Sequence, residues 1–175
     1  DATRDDIERA CHVATSCGCP AVVVNSARVA FAARNLAGTG VGVVATVGFP
    51  FGAARSDVKV LEARLALADG ADHIDVVIGL GLLKDGDLSA VERELAAVVG
   101  EVGTNPVKVI IEAALLTDDE KRTACRFAVE AGAAYVKTST GYSPGGATVH
   151  DVMLMRAAVG GRTRIKAAGG IRYYE

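Results

Sequence analysis

Six short apolar runs, separated by amphipathic stretches, constrain this chain more than any other feature. The runs are Ala21–Val24, Gly42–Val47, His73–Ile78, Val107–Glu112, Tyr135–Thr140 and Arg164–Ala168. They are rich in β-branched residues and lack strict polar–apolar alternation, the pattern of strands covered on both faces. The intervening stretches carry helical signals. Thr3 caps a helix to about Ser16, Arg28–Leu36 is short and Ala-rich, and Ser56 or Asp57 opens a helix to about Asp69. Asp87 caps a helix with Leu88, Val91, Leu95, Val98 and Val99 on one face. Thr117 and Glu120 form a capping box, and Thr148 opens the last helix. Gly40, Gly70 and Gly132 sit where a left-handed helix stop is needed. Repeated strand–helix units predict right-handed crossovers and a parallel sheet.

The chain is 175 residues long and half hydrophobic, enough for one domain, residues 1–175, with a real core. Two architectures suit the pattern, a doubly wound open sheet and an eight-stranded barrel. No Gly-x-Gly-x-x-Gly follows the first run, which weighs against the dinucleotide-binding sheet. The expectation is an α/β chain of the (β/α)8 TIM-barrel type, with six units present and the first and last strand units lacking.

A net charge of −2 and an aromatic content of 5% argue against a nucleic-acid partner. The uncharged stretch Asn35–Ala54 is broken by five glycines and a proline, so no membrane span is expected. The start of the chain is charged and has no signal-peptide pattern. Cys11, Cys17, Cys19 and Cys125 lack Cys-x-x-Cys spacing, and His12, His73 and His150 are scattered, so no metal site is expected. Free thiols suit a reducing, cytoplasmic location. A homodimer is the commonest assembly to expect.

Two lysines lie inside otherwise uncharged strands, Lys137 in Tyr135-Val-Lys-Thr-Ser-Thr-Gly141 and Lys166 in Ile165-Lys-Ala-Ala-Gly-Gly170. On adjacent barrel strands their ammonium groups would lie close together. Neighbouring, partly desolvated cations favour the neutral amine, and a neutral amine attacks a carbonyl to form a Schiff base. The plain alternative is that each lysine is a strand-end cation paired to a carboxylate. Asp75, in the middle of an apolar strand, needs a partner; it pairs with a lysine, passing protons through a water or serving structure alone. Glu112 is expected to pair a lysine or touch substrate. Lys108 is expected at the opposite barrel end, reaching back to water. Gly141, Gly169 and Gly170 follow the lysine-bearing strands and let backbone N–H groups approach a phosphate.

Val47-Gly-Phe-Pro50, Gly70-Ala-Asp-His-Ile-Asp75-Val-Val-Ile78, Val107-Lys-Val-Ile-Ile-Glu112, Val136-Lys-Thr-Ser-Thr-Gly141 and Ile165-Lys-Ala-Ala-Gly-Gly-Ile-Arg172, read in order, resemble the deoxyribose-phosphate aldolases. The resemblance implies a (β/α)8 barrel that reversibly cleaves 2-deoxy-D-ribose 5-phosphate to D-glyceraldehyde 3-phosphate and acetaldehyde. It implies Lys137 as Schiff-base nucleophile and Lys166 as the residue that lowers its pKa and moves protons. Asp75 with a water would handle the substrate hydroxyl proton. Thr140, Gly141, Gly169 and Gly170 would bind the phosphorylated sugar, and no cofactor is implied. The family's first-strand Asp-His-Thr segment and its last phosphate loop do not occur in these residues, and Val23 stands where the family often has cysteine. The 175-residue species alone is therefore expected to be weakly active or inactive. The rival readings are another lysine-dependent sugar-phosphate aldolase or isomerase barrel, and a non-catalytic barrel fragment.

Overall fold

The computed structural model describes residues 2–171. Helix α1 (Arg4–Ser16) opens on a reciprocal cap, in which Thr3 Oγ1 accepts from the Asp6 amide and the Asp6 carboxylate accepts from the Thr3 amide. There follow β1 (Ala21–Asn25), α2 (Val29–Leu36), β2 (Gly42–Val47), α3 (Ser56–Ala68), β3 (His73–Val77) and α4 (Leu80–Lys84). The chain continues with α5 (Leu88–Val102), β4 (Val107–Ile110), α6 (Asp118–Glu130), β5 (Tyr135–Lys137), α7 (Val149–Val159) and β6 (Arg164–Lys166). The Asp87 cap, the Thr117–Glu120 box and the Thr148 cap all form. Helix α4 was not expected; at five residues it is too short to show a period.

The six strands lie side by side in chain order, and every ladder is parallel. Four strands end earlier than the apolar runs suggested, β3 by the single residue Ile78. β4 stops before Glu112, whose backbone turns left-handed at φ 49°, and β5 and β6 stop at their lysines. Single bonds carry the chain on beyond the ladder: Thr138 N donates to Lys166 O, and Ala113 N donates to Thr138 O. The sheet is curled. Phe49, after β2, and Tyr142, after β5, bring their rings to 5.4 Å, edge to face, although three inter-strand spacings separate β2 from β5. In a flat sheet, neighbouring strands about 4.8 Å apart would hold such loops roughly 14 Å apart.

One continuous core fills the layer between sheet and helices, with Ile74, Val76, Ile78, Leu95, Val109, Ile111, Cys125, Val136 and Met155 all fully buried. It also holds an ion pair. Lys59 Nζ lies 2.9 Å from Glu94 Oε1 and donates to Val77 O at 2.9 Å. Glu94 in turn accepts from the Gly79 amide at 2.7 Å and from Ser56 Oγ at 3.1 Å. Burial pulls the Lys59 ammonium below its ordinary pKa, and Glu94 partly offsets that. This cluster pins α3 and α5 to the chain as it leaves β3. All four cysteines are free, and burial pushes the Cys125 thiol up to about 12. Among the described residues, no helix is long and apolar enough to cross a membrane.

Candidate active site

Residues two apart on a strand share a face, so the register identifies which side chains meet on the concave side. Thr46, Asp75, Lys108, Tyr135 and Arg164 are successive partners across β2 to β6. Two residues further along, Val77 pairs with Ile110, Ile110 with Lys137, and Lys137 with Lys166. Asp75 and Lys108 therefore form a lower layer, and Lys137 and Lys166 lie one layer nearer the C-terminal strand ends.

Asp75 is fully buried and has both carboxylate oxygens engaged. Oδ1 accepts from Lys108 Nζ at 2.7 Å, and Oδ2 accepts from Lys137 Nζ at 2.8 Å. Burial alone would push this carboxyl up; the charges of Lys137 and Lys108 outweigh it and hold the pKa below the usual carboxylate value. Lys166 is half-buried, and its pKa is lowered first by desolvation and then by the charges of Lys137 and Lys108, against the pull of Asp75. Lys137, on the neighbouring strand, carries the direct bond to Asp75. Below them, Lys108 Nζ lies 3.3 Å from His73 Nδ1, and Arg164 donates to the Tyr135 hydroxyl at 2.7 Å. Burial, then Lys108, lowers the His73 pKa. A cleft of about 290 Å³, lined by Val23, Val44, His73, Lys108, Tyr135 and Lys166, opens into this interior. A larger cleft of about 750 Å³ runs outside, between Phe51–Asp57 and α4–α5. It touches none of the three central lysines.

Beyond the lysines, the loops after β5 and β6 interlock. Gly169 (φ 83°) accepts at its carbonyl from the Ala147 amide at 3.1 Å. A Cβ at Gly146 would lie 2.5 Å from that same carbonyl oxygen, so only glycine permits the approach. Gly141 and Gly169 lie together, since a Cβ at Gly169 would stand 3.7 Å from Gly141 Cα; Gly170 faces open space. Thr140 spends its polar groups on the scaffold. Its amide donates to Glu112 at 3.3 Å, its hydroxyl donates to the same carboxylate, and Oγ1 accepts from Tyr142 N at 3.1 Å.

Two expectations are corrected here. Lys108 does not reach back to water at the far end. Its register against Asp75 turns it inward, to a buried carboxylate. Of the two roles expected of Glu112, lysine pairing does not occur among the described residues; its left-handed backbone sends the carboxylate to Thr140. The missed participant is therefore Lys108, and the signal for it was a third lysine in an uncharged strand, Val107-Lys-Val-Ile-Ile111. Arg172, the end of the last motif, lies outside the described residues.

Comparisons with known proteins identify the family and the fold. The DeoC/LacD family aldolase pattern matches residues 1–175. A deoxyribose-phosphate aldolase of Streptococcus equi subsp. zooepidemicus is 51% identical over 175 residues, covering 100% of this chain and 80% of the relative. One of Thermococcus gammatolerans is 52% identical over 179 residues, covering 99% of this chain and 79% of the relative. The solved deoxyribose phosphate aldolase of Aeropyrum pernix, described as tetrameric, superposes with a TM-score of 0.87 at 31% identity, over 98% of this chain and 73% of that one. Six parallel strand–helix units in chain order, a curled sheet and these relatives establish the aldolase (β/α)8-barrel architecture, with six of its units in this chain. The chain belongs to the DeoC/LacD family of aldolases, alongside the deoxyribose-phosphate aldolases, and is a lyase.

Proposed function

We propose that the protein reversibly cleaves 2-deoxy-D-ribose 5-phosphate to D-glyceraldehyde 3-phosphate and acetaldehyde through a Schiff base on Lys137. The observation that carries this reading is the buried carboxylate of Asp75 bonded to Lys137 at 2.8 Å, beside Lys166 with its lowered pKa. A lysine amine that readily stays neutral is a local base. Lys166 in that form accepts the proton of Lys137 and frees its electron pair.

The neutral Lys137 nitrogen attacks the C1 aldehyde of the open-chain sugar. Loss of water leaves a protonated imine, which withdraws electrons from C2. The C3 hydroxyl gives its proton, through a water, to Asp75. The C2–C3 bond breaks, C3 becomes the aldehyde of glyceraldehyde 3-phosphate, and the bonding pair enters an enamine. Protonation at C2 and hydrolysis release acetaldehyde and restore the amine. Lys108 holds the second oxygen of Asp75 and so fixes the carboxylate that faces Lys137. The glycines at 141, 169 and 170 receive the phosphate at the open strand ends.

Borohydride reduction in the presence of acetaldehyde, followed by peptide mapping, tests the assignment in the whole gene product carrying residues 1–175. An ethyl label on Lys137 is expected. A label on Lys166, or none, overturns it.

A further inference from the structure

The Thr138-Ser139-Thr140 segment follows directly on Lys137, and its three hydroxyls have different fates. Thr138 Oγ1 donates to Ala168 O and accepts from Ala168 N, both at 3.0 Å. Thr140 Oγ1 is bonded to Glu112 and to the Tyr142 amide. Ser139 is 2% exposed, and its Oγ has no partner. Among the described residues it is the only buried side-chain polar atom left so. A buried hydroxyl without a bond costs about 1–3 kcal/mol, so such an atom in a native fold calls for an explanation.

Its position supplies one. The backbone stays bonded to β6 through Thr138 N and Lys166 O, which carries Ser139 just past the strand end that holds Lys137. Ser139 Cβ lies 3.4 Å from the point where a Gly169 Cβ would stand, and Gly141 Cα lies 3.7 Å from that same point. That point is crowded, with Gly146 Cα 3.2 Å away, whereas a Cβ on Gly141 would meet nothing within 4 Å; the open side of Gly141 is thus two residues along the chain from one unsatisfied donor.

Building on the aldolase reading, we infer that the Ser139 hydroxyl is a further substrate contact, donating a hydrogen bond to the phosphate group held beside Gly141 and Gly169. The flanking threonines hold the loop in shape, and the central serine is left for the ligand.

Ser139→Ala tests this in the whole gene product. A lost bond to a charged oxygen raises KM for deoxyribose 5-phosphate, and the inhibition constant of inorganic phosphate, by roughly tenfold to a hundredfold. Borohydride trapping of acetaldehyde, which has no phosphate, keeps its parental rate, and the melting temperature does not fall. If Ser139→Ala melts lower than the parent, Ser139→Cys, close in size and a weak donor, reads the same selectivity. A parallel fall in trapping and phosphate binding, or no change in either, overturns the inference. Absence of a Lys137 label in the parent instead sinks the aldolase mechanism, so the two failures are distinct.

Discussion

Asp75 and Lys137 belong to strands that are not paired with each other, β3 and β5, yet their side chains meet at 2.8 Å. The strand between them contributes Lys108, which takes the other carboxylate oxygen at 2.7 Å. One anion therefore balances two buried cations, and its removal has a structural as well as a chemical cost. Leaving buried charges uncompensated typically costs about 3–5 kcal/mol. Asp75→Asn is expected to lose stability on that scale in denaturant titrations. Loss of the proposed proton-handling group is expected to slow cleavage roughly 10²–10⁴-fold. Near-parental turnover by this variant would remove Asp75 from the reaction.

The same network makes stability rise with pH on both the acid and the alkaline side of the pH–stability curve. Lys166 has its pKa lowered on folding. Between that value and the unfolded lysine value of about 10.4, the unfolded chain binds more protons, so stability rises with pH in this window. Lys166→Met is expected to flatten that alkaline rise. Asp75 has its carboxyl pKa lowered. Its contribution is present above the unfolded aspartate value of about 3.9 and disappears as pH falls through the folded one. Chemical denaturation across pH, for the parent and Lys166→Met, measures both limbs.

The Lys59–Glu94 pair offers a test away from the chemistry. Both residues are buried, and Glu94 also holds the Gly79 amide. Lys59→Met alone leaves an unpaired buried carboxylate and is expected to cost about 3–5 kcal/mol. Lys59→Met combined with Glu94→Gln removes both charges and keeps an acceptor for Gly79 N. The double variant is expected to be more stable than Lys59→Met alone in urea titration. The reverse order would show that the charge on Glu94 is not what makes the single change costly.

Gly146→Ala probes the loop pair rather than the lysines. The added Cβ would stand 2.5 Å from Gly169 O and 2.7 Å from Gly169 C, and backbone cannot yield as a side chain can. Displacing the proposed phosphate end of the site by about 1 Å can cost on the order of a hundredfold. KM for deoxyribose 5-phosphate is expected to rise toward that factor while acetaldehyde still labels Lys137. Unchanged KM would place the phosphate elsewhere.

The sequence by itself determined the local structure. Thr3, Asp87, Thr117 and Thr148 cap their helices through bonds made within three residues, and such short-range chemistry is written in the order of side chains. The β-branched runs announced strands in the correct order, and Lys137, Lys166 and Asp75 stood out because charge is costly in an apolar strand. Only the tertiary structure decided where Lys108 and Glu112 point. Period two tells which residues share a face, but a strand apolar on both faces does not say which face is inside. The β3–β4 register turns Lys108 toward Asp75, and one left-handed residue turns Glu112 away to Thr140. Both depend on curvature and pairing between segments some thirty residues apart, and no local pattern encodes them.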